Sequence, residues 1–235
     1  MLVSRLYKLF GGNVPKPERS IFNFKDCPRG EGIWDILGYY DSKSYSVTIC
    51  EPKIEEHSWQ VATRLGSKPH ETRLVLRELV RLHEHAHSLI HTGNFDEFRG
   101  FNLSEKLPEF KVKCRFKMGY PIPCQINEPL AEFISWSIIH NIADDEARAI
   151  FEKVFDEVDK SAPSYYKNWV QLRQLIQNSS KPASEHFIFF VPGLVHIARD
   201  GVWNNFGHFV QAISSKYELL QERYMMLKAR EVMAT

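Results

Sequence analysis

Hydrophobic and polar positions alternate with more than one period along this chain, and the clearest period is helical. Over residues 71–92, ETRLVLRELVRLHEHAHSLIHT, the positions Leu76, Leu79, Val80, His83, Ala86, His87 and Ile90 recur at three- and four-residue spacing. That predicts one long helix stopping near Gly93-Asn94. Upstream, ILGYY and YSVTIC flank the polar run Asp41-Ser42-Lys43-Ser44 and read as two short strands about a turn. The second is rich in β-branched and aromatic residues, as strands favour. Pro52 opens a helix to about Leu65, closed by Gly66, and Pro69 precedes the next. Residues 11–32, with Pro15, Pro17 and Pro28, read as an irregular lead-in, and 94–126 as a long ordered loop with one short strand around KVKCRFKM. Beyond it the pattern predicts helices at 128–141, 144–160, 163–178 and 204–229, with HFIFFVPGLVHIARDG connecting the last two. The fold class is α+β, mostly α. One domain spans 1–235, with the strand pair and long helix in 1–93, the loop in 94–126 and a helical lobe in 127–235.

Composition narrows the class without naming a function. The chain has 235 residues, 43% of them apolar, with five Trp, nine Tyr and sixteen Phe, enough to fill a sizeable core. Thirty basic against 29 acidic residues leave a net charge of +1, which gives no reason for nucleic acid or an anionic membrane as the main partner. Cys27, Cys50, Cys114 and Cys124 form no C-x-x-C pair and read as reduced, mostly buried thiols. The first twenty residues carry Arg5 and Lys8 inside their apolar stretch and make a poor secretory signal. No window has the apolar length of a membrane span. The expected setting is cytoplasmic.

Ten histidines are spread unevenly, with four between positions 83 and 91. His83-Glu84-His85-Ala86-His87 fits H-E-x-x-H. Four residues advance a helix by about 400°, so His83 and His87 project from one face a turn apart and can share one metal ion. Glu84 stands about 100° round from His83, beside the metal, where a carboxylate can take a proton from an activated water. His85 points about 200° away, to the far side.

A hydrolytic zinc site needs a third protein ligand and keeps a fourth position open. The longer H-E-x-x-H-x-x-G-x-x-H pattern fails, because Ile90 stands where its glycine should be. His91 lies one more turn along the same face, but a straight helix seldom wraps three turns around one ion, so it is assigned an outer or substrate-side role. Asn127-Glu128-Pro129-Leu130-Ala131-Glu132 begins another predicted helix and sets two carboxylates four apart, on one face. One can bind the metal while the other orients a ligand histidine. A donor for the charge developing on the substrate oxygen is sought among Tyr165, Tyr166, His196 and His208, with Tyr166 preferred. The strand YSVTIC reads either as an edge for an extended peptide or as a paired central strand.

H-E-x-x-H followed by a helix with N-E-x-x-x-(D/E) resembles the gluzincin group of zinc metallopeptidases. E-P-L-A-E-F and the strand GYYDSKSYSVTIC also resemble small intracellular zincin-like proteins of prokaryotes and their viruses. The likeness covers two short motifs and the order of elements between about 38 and 141. It implies a zincin-like fold and one Zn2+ per chain held by His83, His87 and Glu128. It further implies Glu132 as the orienting acid, Glu84 as general base, and a peptide or protein as substrate. Pro129, directly after the implied ligand, departs from the pattern and leaves Glu132 as the alternative ligand. The competing function is a metal-binding zincin-fold regulatory or interaction protein with little proteolysis; retention of Glu84 speaks against it.

Overall fold

The computed structural model describes residues 2–10, 18–28, 37–92, 122, 124–141, 144–179, 190–200, 203–218, 220 and 222. In chain order the elements are α1 (Leu2–Phe10), β1 (Glu18–Ile21), β2 (Gly38–Asp41), β3 (Ser46–Cys50), α2 (Glu51–Leu65), α3 (Pro69–Thr92), α4 (Cys124–His140), α5 (Asp145–Ser161), α6 (Trp169–Ser179), α7 (Val191–Asp200) and α8 (Phe206–Ser215). Short 3-10 turns lie at Phe24–Asp26 and Tyr166–Asn168. The fold is α+β and mostly α, as expected.

Helix α3 is the axis of the molecule. It packs against α1, α2, α4, α5 and the sheet. Its first half is amphipathic, with Leu76, Leu79 and Val80 buried, while from Leu82 to Ile90 every residue is buried. A helix enclosed on all sides must satisfy its polar side chains inside the protein. His83, Glu84, His85, His87 and Ser88 all fall in that enclosed stretch, so the polar chemistry of α3 is an interior matter. The turn before it is set by Gly66, which ends α2 in the left-handed conformation at φ 62°, with the Ser67 amide donating to the Ala62 carbonyl at 3.0 Å. Pro69 then starts α3, where its missing N–H costs nothing.

The sheet has three strands among the described residues, ordered β1-β3-β2. β3 runs parallel to β1, with Ser20 opposite Ile49, and antiparallel to β2, with Gly38 opposite Ile49. The expected strand pair thus gains a third member inside the predicted lead-in, and YSVTIC takes the central position, paired on both sides. β1 escapes the sequence pattern because ERSI has one apolar residue in four; it is anchored by polar contacts instead. Ser20 Oγ donates to Glu51 at 2.8 Å, and the same carboxylate oxygen accepts from Arg77 Nε at 2.7 Å, joining β1, α2 and α3.

Three further expectations are corrected. Cys27 and Cys50 are not reduced thiols: they form a disulfide across 23 residues of sequence, between the turn after β1 and the last residue of β3. The cytoplasmic expectation therefore loses the support it drew from reduced cysteines. The connection 186–201 is helical over Val191–Asp200, with Pro192 and Gly193 in the first turn of α7. Pro129 lies inside α4 rather than at its start, because the helix begins at Cys124. Most of the predicted 94–126 loop, including KVKCRFKM, lies outside the described residues. Among those residues, no helix is long and apolar enough to cross a membrane.

Candidate metal centre

Two requirements meet at the contact of α3 and α4: an enclosed helix must bury imidazoles, and imidazoles that face each other need a shared cation or proton. His83 Nε2 and His87 Nε2 stand 3.1 Å apart. Glu128 Oε2 reaches in from α4, 3.4 Å from the first and 3.2 Å from the second. Ligands held about 2.05 Å from a tetrahedral ion stand about 3.3 Å from one another. The three observed edges bracket that value, so the group His83, His87 and Glu128 could hold a metal ion. Both histidines are buried, at 1% and 6% exposure, and the Glu128 side chain is nearly so, at 13%.

The protons at this group follow from its packing. Burial pushes the His83 imidazole down to about 4. Burial also opposes charge on His87, but the Glu128 carboxylate beside it outweighs that penalty and raises it to about 9. Glu128 in turn is held well below the usual carboxylate range: burial resists, and the charge on His87 wins. The Glu128 carboxylate therefore favours a positive charge at this group, where a proton on His87 and a cation held by all three side chains would compete.

Two more buried polar side chains lie beside the three. Glu132, fully buried one turn after Glu128, places Oε1 3.8 Å from His83 Nδ1. It stands behind the histidine, so the acid among the converging atoms is Glu128, with Pro129 no obstacle. Asn127, buried at 2%, lies beside His87 and also favours its charged form. The sequence motif contains Asn127 but assigns it no role; the signal for one is its place immediately before the implied ligand.

Glu84 is buried on the sheet side of α3. Its stem meets β2 at Gly38, where an added Cβ would lie 3.2 Å from Glu84 Cγ, so only a glycine lets the strand come this close. His85 does turn to the far side, where Tyr7 Oη lies 3.0 Å from Nδ1 and Glu18 Oε2 lies 3.3 Å from Nε2. His91 is not among the three converging residues: its Nδ1 lies 3.0 Å from Tyr40 Oη and its ring stacks on Tyr45. Tyr166 is fully buried in its 3-10 turn, its ring 6.3 Å from that of His83 and inclined by 26°. Tyr165 packs on Tyr166, while His196 and His208 sit on α7 and α8, two helices packed against α4.

A buried, helix-borne His/His/Glu group with an acid at its side is the arrangement these elements define. Set against protein-family models, curated proteins and solved structures, the chain matches none.

Proposed function

We propose that this chain is a zinc-dependent peptide hydrolase of the gluzincin kind that its motifs resemble, with His83, His87 and Glu128 as ligands and Glu84 as general base. One observation carries the reading: two imidazole nitrogens and one carboxylate oxygen converge at 3.1–3.4 Å in the buried interface between α3 and α4. The donor set favours zinc. Calcium and magnesium prefer all-oxygen shells, whereas two histidines and one carboxylate suit a catalytic zinc with its fourth position open.

When bound, zinc supplies Lewis acidity, polarising a substrate carbonyl and acidifying water. The rest is the work of the chain. Glu84 takes a proton from the attacking water at its carboxylate and returns it to the leaving amine nitrogen, so the amide bond breaks with protons balanced. Glu132 and Asn127 hold the rings of His83 and His87 in place. Tyr166, beside His83, is the residue we assign as donor towards the developing oxyanion. Of the two outer strands among the described residues, β2 is the one that packs over Glu84, and its outer side is where an extended peptide would add as a further strand.

The test is direct. Purified protein loaded with zinc and dialysed is expected to retain one ion per chain by elemental analysis, and to cleave a mixed peptide library that Glu84→Gln leaves intact. Absence of retained zinc overturns the metal assignment, and undiminished cleavage by Glu84→Gln overturns the role of the base.

A further inference from the structure

The hairpin between β2 and β3 carries a feature that the metal chemistry does not use. Tyr45, the last residue of its turn, has φ 51°, the left-handed conformation that favours Gly or Asn and strains a bulky side chain. It is the only non-glycine residue with positive φ among the described residues. The turn is braced against relaxation. Asp41 accepts from the Lys43 amide at 2.9 Å and from Ser44 Oγ at 2.6 Å, and Ser44 Oγ lies 2.7 Å from Ser46 Oγ. The strain keeps an aromatic ring half-exposed, at 50%, and lying on His91 with centroids 5.5 Å apart and planes inclined by 17°.

His91 ties that ring to the helix that carries the metal group. It follows His87 by one helical turn, about 6 Å along the α3 axis and about 40° round its face. Tyr40, buried on β2, fixes the imidazole from behind through the 3.0 Å contact to Nδ1. Thus β2 touches α3 at Glu84 through Gly38 and at His91 through Tyr40, and the turn that follows stacks Tyr45 on His91, one helical turn past His87.

We infer that Tyr45, stacked on His91 one turn past the metal ligands, is the wall of a subsite that takes an aromatic side chain of the peptide substrate. The inference rests on the peptide-hydrolase reading and names the substrate class for it. The outward face of a tyrosine ring offers offset stacking to another planar ring, which an aliphatic side chain cannot match. The stacked pair itself carries no charge to reward an acidic or basic side chain: burial, and then the Arg199 guanidinium, hold His91 towards its neutral form. Strained backbone retained at a braced turn is the pattern of a position kept for binding rather than for stability.

The experiment uses binding, so that it does not depend on turnover. Zinc-loaded Glu84→Gln protein is titrated calorimetrically with acetyl-Gly-Xaa-Gly-amide peptides in which Xaa is Phe, Leu or Lys. The Phe peptide is expected to bind about 3–10-fold tighter than the Leu peptide. Adding Tyr45→Gly abolishes that preference, and Tyr45→Phe keeps it. Because glycine relieves the strain, Tyr45→Gly is expected to melt no lower than its parent. Equal binding of Phe and Leu peptides, no peptide binding, or a preference that survives Tyr45→Gly overturns the inference. So does a Tm lowered by about 3 °C or more in Tyr45→Gly, which would mark the ring as packing for His91. None of these results bears on the cleavage comparison between the unmodified chain and Glu84→Gln, so the two readings fail separately.

Discussion

Gly38 lies against Glu84 so closely that a Cβ at position 38 would stand 3.2 Å from the Glu84 Cγ, 3.0 Å from the Thr48 carbonyl oxygen and 2.8 Å from Val80 Cγ1. Two of those atoms are fixed, one in the backbone of the central strand and one on a β-branched side chain in the core. Gly38→Ala must therefore move β2, or Val80, or the stem of Glu84. The expected result is a loss of about 1–3 kcal/mol in urea unfolding, the usual cost of overpacking. Cleavage should fall further than stability explains, because the one crowded atom of the three that is on a flexible side chain belongs to Glu84, the proposed base. A variant as stable and as active as the parent would mean that the strand and helix are not in contact here.

The two acids of α4 should separate cleanly in a metal-retention assay. Glu128 Oε2 is one of the three converging atoms, whereas Glu132 Oε1 lies 3.8 Å from His83 Nδ1, on the side of the ring away from them. Glu128→Ala removes a proposed ligand, and the zinc affinity is expected to fall by well over 100-fold. Glu132→Gln keeps all three ligands and loosens one, so a fall of about 10–100-fold is expected. The reverse order, measured by competition with a chelator of known affinity, would exchange their roles.

Much of this centre is legible in the amino-acid sequence because helical spacing is rigid. Two histidines four apart on a helix must share a face, and so must Glu128 and Glu132, so spacing alone reveals both pairs. Which acid of the second pair faces the histidines depends on the rotation of α4 about its axis, and that is set by where the helix begins. Pro129 draws the expected start to 128, while Ile126, buried at 0%, shows that the first turn is already core. β1 is hidden for another reason: a four-residue strand held by Ser20, Glu51 and Arg77 leaves no hydrophobic alternation to read. Helix α1 does carry a signal, since Leu2, Val3 and Leu6 form a short apolar stripe and all three are buried, but the stripe is too short to stand out beside the charges at Arg5 and Lys8. The Cys27–Cys50 pairing has no local signature at a separation of 23 residues.

That disulfide should matter measurably. It ties the turn after β1 to the junction of β3 and α2, closing a loop of 23 residues, for which chain-entropy loss in the unfolded state corresponds to about 3 kcal/mol. Reduction is expected to lower unfolding stability by about that amount in urea. Alkylation of the denatured, unreduced protein should leave Cys27 and Cys50 unmodified in a peptide map. Labelling of both before reduction would show the bridge to be absent.

The far side of α3 sets an acid limit on the fold. Glu18 accepts from Arg81 Nε at 2.7 Å and Nη2 at 3.0 Å, and its Oε2 lies 3.3 Å from His85 Nε2. The hydrogen bond with His85, and then Arg81, hold its carboxyl down at about 2, against 4.5 for an unperturbed glutamate. The sign follows from the depression. Above about pH 4.5 both folded and unfolded chains carry the charge, and the native state keeps the whole benefit; as pH falls towards about 2 the unfolded chain gains a proton first, and the benefit drains away. Glu18→Gln should therefore be less stable than the parent near neutral pH, by about 1 kcal/mol or less because the pair is partly solvated. The difference should close towards zero by about pH 2–3, as urea unfolding at both ends of that range would measure. A gap that stays constant across it would mean that Glu18 contributes through packing and not through its charge, leaving His85 and Arg81 to be held by other partners.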